Sequence, residues 1–281
     1  MTVLLLISAF GFNILLAYTD KYTSGLLKNN HEVLFFSFCK TLTCAVLAAA
    51  ILPFGGTYID ATGVLIAVLA GVFHSASVVL IMLSLKRTDG VYVNLFMAAG
   101  IVFPSLFGWI LWKQELSALK ICALVLLIVF LFLMLRVKGG GNFHFPTAIA
   151  MFASYGLLMV AQGAFPKYCE NGSGAMFSVI MYACSAMFLG IFAMIRSKCK
   201  LRFTKKLGVL CLVCAIANLA INLLLTRLSS MTDAVVTFPV VHGGKLVAVT
   251  LLSGMVWKER LGAPRIFFAL LSIVCIVLLS T

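Results

Sequence analysis

Charge is scarce in this chain. Asp, Glu, Lys and Arg make up 10% of its 281 residues, whereas a soluble domain carries roughly 25%. Acid is scarcest. The eight carboxylates are Asp20, Glu32, Asp60, Asp89, Glu115, Glu170, Asp233 and Glu259, and all read as lying in loops or at the ends of apolar runs. A paired set of carboxylates inside a hydrophobic stretch, as an intramembrane acid–base enzyme needs, is therefore not expected. HExxH is missing and the four histidines are scattered, which argues against a zinc hydrolase. No GxxxxGK[ST] pattern occurs, so the chain lacks the phosphate cradle of an ATP-driven pump. These absences point away from an enzyme and indicate no cofactor and no metal.

Apolar residues dominate. The chain is 63% hydrophobic, with a mean hydropathy of +1.15, the composition of an integral membrane protein. The net charge of +13 sits in short loops between apolar runs. No basic domain or aromatic–basic patch accompanies it, so nucleic acid is not an expected partner. The nine cysteines fall mostly within apolar runs. Cys211 and Cys214 have CxxC spacing but no second pair, so they read as small packing residues.

Ten apolar segments are each long enough, with flanking residues, to cross a hydrocarbon core of ~30 Å as a helix. They run Val3–Thr19, Val33–Pro53, Gly63–Leu85, Val91–Trp112, Leu119–Leu135, Phe145–Phe165, Ala175–Ile195, Leu207–Leu228, Ala234–Trp257 and Ile266–Ser280. They are too long and too uniformly apolar for barrel strands. The first lacks a basic leader and a small-residue cleavage site, so it reads as a retained span.

The chain also repeats itself. "WKQELSALK" (Trp112–Lys120) returns as "WKERLGAPR" (Trp257–Arg265). Thr88-Asp89 and Thr232-Asp233 precede these tryptophans by 24 and 25 residues. The joint is "KGGG" at Lys138–Gly141. The reading is two five-helix copies, residues 1–139 and 140–281. Five is odd, so the second copy enters the membrane from the opposite side. Such an inverted repeat marks many secondary transporters, with the substrate held near the midplane between the copies.

This layout resembles the drug/metabolite transporter superfamily, in particular its ten-helix EamA-like members. "WKERLG" (Trp257–Gly262) is similar to the family's hallmark between helices nine and ten, and "LSLKRTDG" (Leu83–Gly90) to its turn after helix three. The resemblance implies a ten-helix transporter fold and leaves the substrate open. The first copy departs from the pattern, with Gln114 where the second has Glu259 and with Glu115 one place later. Pro104 and Pro239 stand at different depths in their helices.

Loop charge sets an expected orientation. Odd-numbered loops hold 15 Lys and Arg and even-numbered loops hold 4 (Lys113, Lys120, Lys167, Arg227). The positive-inside rule places the odd loops in the cytoplasm and both termini outside. The expected setting is a multi-pass protein of a bacterial plasma membrane, whose partners are the lipid bilayer and a small-molecule substrate.

Polar groups within spans are costly and are functional candidates by default. Lys245 is the deepest, ten residues after Val235 and twelve before Trp257. Lys40 lies about a third of the way across and has snorkelling as its alternative. Neither has an expected intramembrane acid partner, which suggests a substrate anion as counter-charge. His242 shares a helix face with Lys245, and Gly243-Gly244 between them serves either close packing or local unwinding. In the eighth segment Cys211, Cys214, Asn218, Asn222 and Thr226 make one polar stripe. It serves either a cavity wall or inter-helix hydrogen bonding. His74, Asn94, Asn13 and Gln162 complete the candidates, each with a structural alternative. The expected function is secondary transport of a small anionic or zwitterionic metabolite. Export of cationic or hydrophobic compounds is the alternative, weakened by the expected lack of an acid inside any span.

Overall fold

A computed structural model describes residues 2–114, 117–136, 145–196, 204–232, 234–257 and, within the last apolar segment, 266, 267, 270, 271, 274, 275 and 278. The described residues form helices and contain no strand. In lipid each backbone N–H and C=O must be satisfied within its own segment, and the helix achieves this. The helices are α1 (Thr2–Leu26), α2 (Asn30–Gly55), α3 (Ala61–Arg87), α4 (Gly90–Ala99), α5 (Val102–Trp112), α6 (Ala118–Arg136), α7 (Phe145–Tyr168), α8 (Gly174–Arg196), α9 (Lys205–Met231) and α10 (Ala234–Met255). With α4 and α5 counted as one crossing, eight helical stretches are long and apolar enough to span a membrane. α6 adds a shorter apolar helix, and the described residues beyond 265 are helical. The chain is a multi-pass α-helical membrane protein. The joint at 138–141, Glu115, Asp233 and residues 258–265 of the second Trp-Lys phrase lie outside the described residues.

Side chains define the helix starts. Asn29 Oδ1 accepts the Glu32 N–H at 2.8 Å, and Glu32 Oε2 accepts the Lys28 N–H at 2.6 Å. The Asn29 cap opens α2, and Glu32 ties the chain just before it. Asp60 opens α3, its Oδ1 accepting the Gly63 N–H at 2.6 Å, and Thr204 opens α9. α5 is capped by Lys113, whose φ of 52° is left-handed. The following Gln114 N–H donates back to Gly108 O at 3.0 Å, a helix-stopping turn. The first Trp-Lys phrase is thus a stop signal.

The fourth apolar segment is expected as one helix and is found as two. Pro104 has no N–H to offer Gly100 O, four residues back, and its ring crowds that carbonyl. Phe103 N–H takes it instead at 3.0 Å, while Gly100 and Ile101 reach back three residues to Met97 and Ala98 at 3.1 Å each. The tightened turn separates α4 from α5. Here α7 crosses closely: a Cβ on Gly156 would lie 2.9 Å from Gly100 O and 2.3 Å from Phe103 Cδ2. Small residues at such crossings let backbones approach.

α1 is longer than expected. The polar run "YTDKYTSG" after its apolar stretch continues the helix to Leu26. Thr19 Oγ1 donates to Leu15 O at 2.8 Å. Lys21 Nζ reaches across to Leu85 O and Thr88 O at 3.3 and 2.9 Å, satisfying carbonyls at the end of α3. Trp257, two residues past α10, stacks on Tyr18, and Lys206, in the first turn of α9, lies 4.9 Å over the Tyr22 ring. One end of the bundle therefore gathers the end of α1, the α3–α4 turn, the start of α9 and the end of α10. At the other end Ser173 N–H donates to Tyr58 O at 2.8 Å, joining the α7–α8 and α2–α3 turns.

Candidate functional site

α1, α2, α3, α4, α7, α9 and α10 converge on a cavity of about 50 Å³. That is room for a few water molecules. Eight of the nine residues singled out from sequence line it. Asn13 comes from α1, Lys40 from α2, His74 from α3 and Asn94 from α4. Gln162 comes from α7, Asn218 and Asn222 from α9, and Lys245 from α10. Such convergence arises because each is a polar group on a largely apolar helix, and burial among other helices removes it from lipid. His242 does not line the cavity. It packs edge-on to Tyr155 and parallel to Phe238, and its Nε2 has no hydrogen-bond partner among the described residues.

The expectation that no acid lies inside a span is wrong. Asp20 is part of α1, is 6% exposed and lines the cavity. The expectation that Lys40 has no acidic partner fails with it. Lys40 Nζ donates to Asp20 Oδ1 at 2.9 Å, so Lys40 is paired inside the bundle rather than snorkelling. A signal for this was present. Ala9, Asn13, Ala17, Asp20 and Ser24 recur at helical spacing, and all five are buried.

Lys245 differs. It is 4% exposed and lines the same cavity. Among the described residues it has no hydrogen-bond or ion-pair partner. The Asp20 carboxylate attracts it and the Lys40 ammonium repels it through space. The helix runs unbroken through Gly243-Gly244, and a Cβ on Gly244 would meet the Phe10 ring at 2.9 Å. That glycine serves close packing of α1 on α10.

The far wall is a hydrogen-bonded network. Asn218 Nδ2 lies 3.2 Å from His74 Nε2. The amide nitrogen only donates, so Nε2 accepts. The imidazole is then neutral and donates through Nδ1 to Ser185 Oγ at 3.0 Å. Asn222 Nδ2 donates to Tyr182 Oη at 2.6 Å and Asn218 O at 2.8 Å, and Gln162 Nε2 donates to Asn222 Oδ1. The α9 stripe therefore does both things expected of it as alternatives: Asn218 and Asn222 face the cavity and also tie α9 to α3, α7 and α8. Thr226, one turn on, lines a second depression with Glu170 and Arg227 at the end where the α7–α8 turn lies. Tyr182 and Ser185 escape a sequence reading because a single Tyr or Ser in an apolar helix is ordinary. Asn94 Nδ2 donates to Gly90 O at 2.9 Å.

No protein-family model matches this chain, and no curated protein does. Solved structures do. One, described only as a crystal structure of a protein, aligns with a TM-score of 0.67 over 96% of this chain and 97% of its own, at 13% identity. At that identity the likeness concerns the fold alone.

Proposed function

We propose that the chain is a secondary transporter of a small polar metabolite, anionic or zwitterionic, working by alternating access at a cavity between two inverted five-helix repeats. The observation that carries this reading is the cavity itself: a polar site among seven helices of an apolar bundle, with a lysine on its wall that has no hydrogen-bond or ion-pair partner among the described residues. A bundle meant only to be stable would have no use for it, because an unpaired buried charge is costly.

The packing partners support the repeat. Exchanging α1, α2, α3 and α4–α5 with α7, α8, α9 and α10 maps the α1–α9 contact onto α7–α3, and α2–α9 onto α8–α3. The same exchange maps α1–α10 onto α7 against α4–α5, and leaves α2–α8 and α4–α10 unchanged. These pairings are what an exchange of two similar halves gives, and they support the repeat; the odd number of helices per copy is what makes it inverted in this reading. The ten-helix count and the EamA-like resemblance belong to this reading. So does the orientation, with odd loops cytoplasmic and termini outside in a bacterial plasma membrane. The contacts between the ends of α1, α3 and α10 and the start of α9 put four odd-loop boundaries on one face.

Metabolite pockets usually measure about 300–1,000 Å³, so the cavity widens before it takes one. A change between outward- and inward-open forms supplies that widening. The test is solute flux into proteoliposomes, with Lys245→Met alongside. The parent should move at least one small organic anion or zwitterion down its gradient, and the variant should lose that flux while keeping its fold. A chain that moves no solute above protein-free vesicles would overturn the reading.

Asp20 revives one alternative, export of cationic compounds, by placing an acid in a span. Its carboxylate is occupied by Lys40, and the three charges lining the cavity sum to one positive, so a cation meets net repulsion.

A further inference from the structure

We infer that the cavity recognises a monocarboxylate, seated between Asn13 of α1 and Lys245 of α10. This rests on the transporter reading for why a site exists, but its chemistry stands on separate observations.

Asn13 is 1% exposed, and its Nδ2 has no hydrogen-bond partner among the described residues. Lys245 is in the same condition at 4%. Both line the one cavity, on helices held close by the Phe10–Gly244 contact. Each is donor-only at the atom concerned, so the ligand atoms between them are acceptors. Other amides on this wall are spent: Asn218, Asn222 and Gln162 bond to one another, to His74 and to Tyr182. Asn94 bonds to Gly90 O.

The charge count selects among acceptor groups. Asp20 and Lys40 cancel, leaving the charge of Lys245. One negative charge neutralises it. A phosphate or dicarboxylate dianion would leave an excess negative charge in a poorly solvated space, which is disfavoured. A neutral amide would leave the ammonium unpaired. The remaining lining includes Leu16, Val78, Ile81, Met97 and Leu225, which suits a short apolar body behind the carboxylate.

The experiment measures the melting temperature of the purified chain against rising concentrations of straight and branched monocarboxylates of two to six carbons. Each is paired with its primary amide and with the dicarboxylate of equal length. At least one monocarboxylate should raise the melting temperature in a saturable way, because a ligand of the folded state stabilises it. Its amide and the dicarboxylate should not. Lys245→Met should abolish the shift, Lys245→Arg should keep part of it, and Asn13→Leu should weaken affinity by about tenfold or more. If no monocarboxylate stabilises the parent, or the amide does so equally, or Lys245→Met keeps the shift, the inference is overturned. The carboxylate–amide comparison on the parent decides even if a variant fails to fold. Flux separates the two readings. A carboxylate that binds without crossing the membrane leaves this inference standing and removes transport, and a neutral or cationic solute that crosses while no carboxylate binds does the reverse.

Discussion

Lys40 and Asp20 form an ion pair of 2.9 Å between α2 and α1, with the two residues 2% and 6% exposed. Lys40 stands ten residues into the 26-residue α2, about 15 Å along its axis. The pair explains how a lysine tolerates that depth and why α1 keeps its helix through a polar run. It also separates the two lysines of the cavity, one ion-paired and one without an ion-pair partner among the described residues.

Breaking the pair from one side strands a buried charge. Asp20→Asn and Lys40→Met should each destabilise the chain by about 3–5 kcal/mol. The double variant should recover much of that loss, with a coupling energy well above 0.5 kcal/mol. Thermal or denaturant unfolding in detergent measures all four proteins, and additive single effects would show that the pair does not act as a unit.

The α4/α5–α7 crossing tolerates no side chain on Gly156. Gly156→Ala places a methyl within 2.3 Å of Phe103 Cδ2 and 2.9 Å of Gly100 O. The backbones must separate, at about 1–3 kcal/mol. Ala at Gly11, where nothing lies within 4 Å, is the control and should leave the melting temperature unchanged or raise it slightly.

The polar face of α9 should be reachable by water. In a background without native cysteines, Cys at Asn222 or Thr226 should react with a membrane-impermeant thiol reagent. Cys at Ile216, which is 45% exposed on the outer surface, should face lipid and react slowly. Equal reaction at all three positions would remove the stripe from the solute path.

Orientation can be read with a fusion after Thr281. A reporter active only outside the cytoplasm should give signal there, following the excess of Lys and Arg in odd loops. Signal from a cytoplasm-only reporter at the same position would reverse the assignment.

Asp60 gives a pH signature at the membrane surface. The Gly63 N–H holds its carboxyl below the ordinary value of 3.8. A carboxyl lowered on folding stabilises above its ordinary value, and that contribution is lost as pH falls through the folded value. Asp60→Ala should therefore melt earlier than the parent at neutral pH, and the gap should narrow as pH falls below about 4. A gap that is constant with pH would assign the effect to packing.

Much of the fold was legible because lipid leaves few choices: a run of apolar residues of the right length must be helical. The candidate site was legible for the same reason, since isolated polar groups in such runs have to meet somewhere, and eight of nine do. Asp20 was missed because a polar run at the end of an apolar stretch reads as a loop. The helix ran on because Thr19 bonded back to its own carbonyls and Lys21 found those of α3. Spacing would have shown it: Asn13, Ala17, Asp20 and Ser24 share a face. The break at Gly100 was harder. Pro104 announces a lost rung, but the partner that makes a split tolerable, Gly156, lies in a different helix.

The missing rung has a mechanical consequence. α4 and α5 both pack on α7 and α10, and every residue of α4 is buried, whereas the backbone between them is joined at the break through three-residue bonds. The backbone ladder of this crossing is therefore weakest at the break, between the piece that walls the cavity and the piece beyond it. Asn94 lies six residues from Gly100, roughly 9 Å along the axis. A bend of about 10° at the break would carry it ~1.6 Å while Trp109 and Trp112 stay where they are. The break thus divides one crossing by task, with α4 walling the cavity and α5 presenting Trp109, Ile110 and Leu111 to lipid.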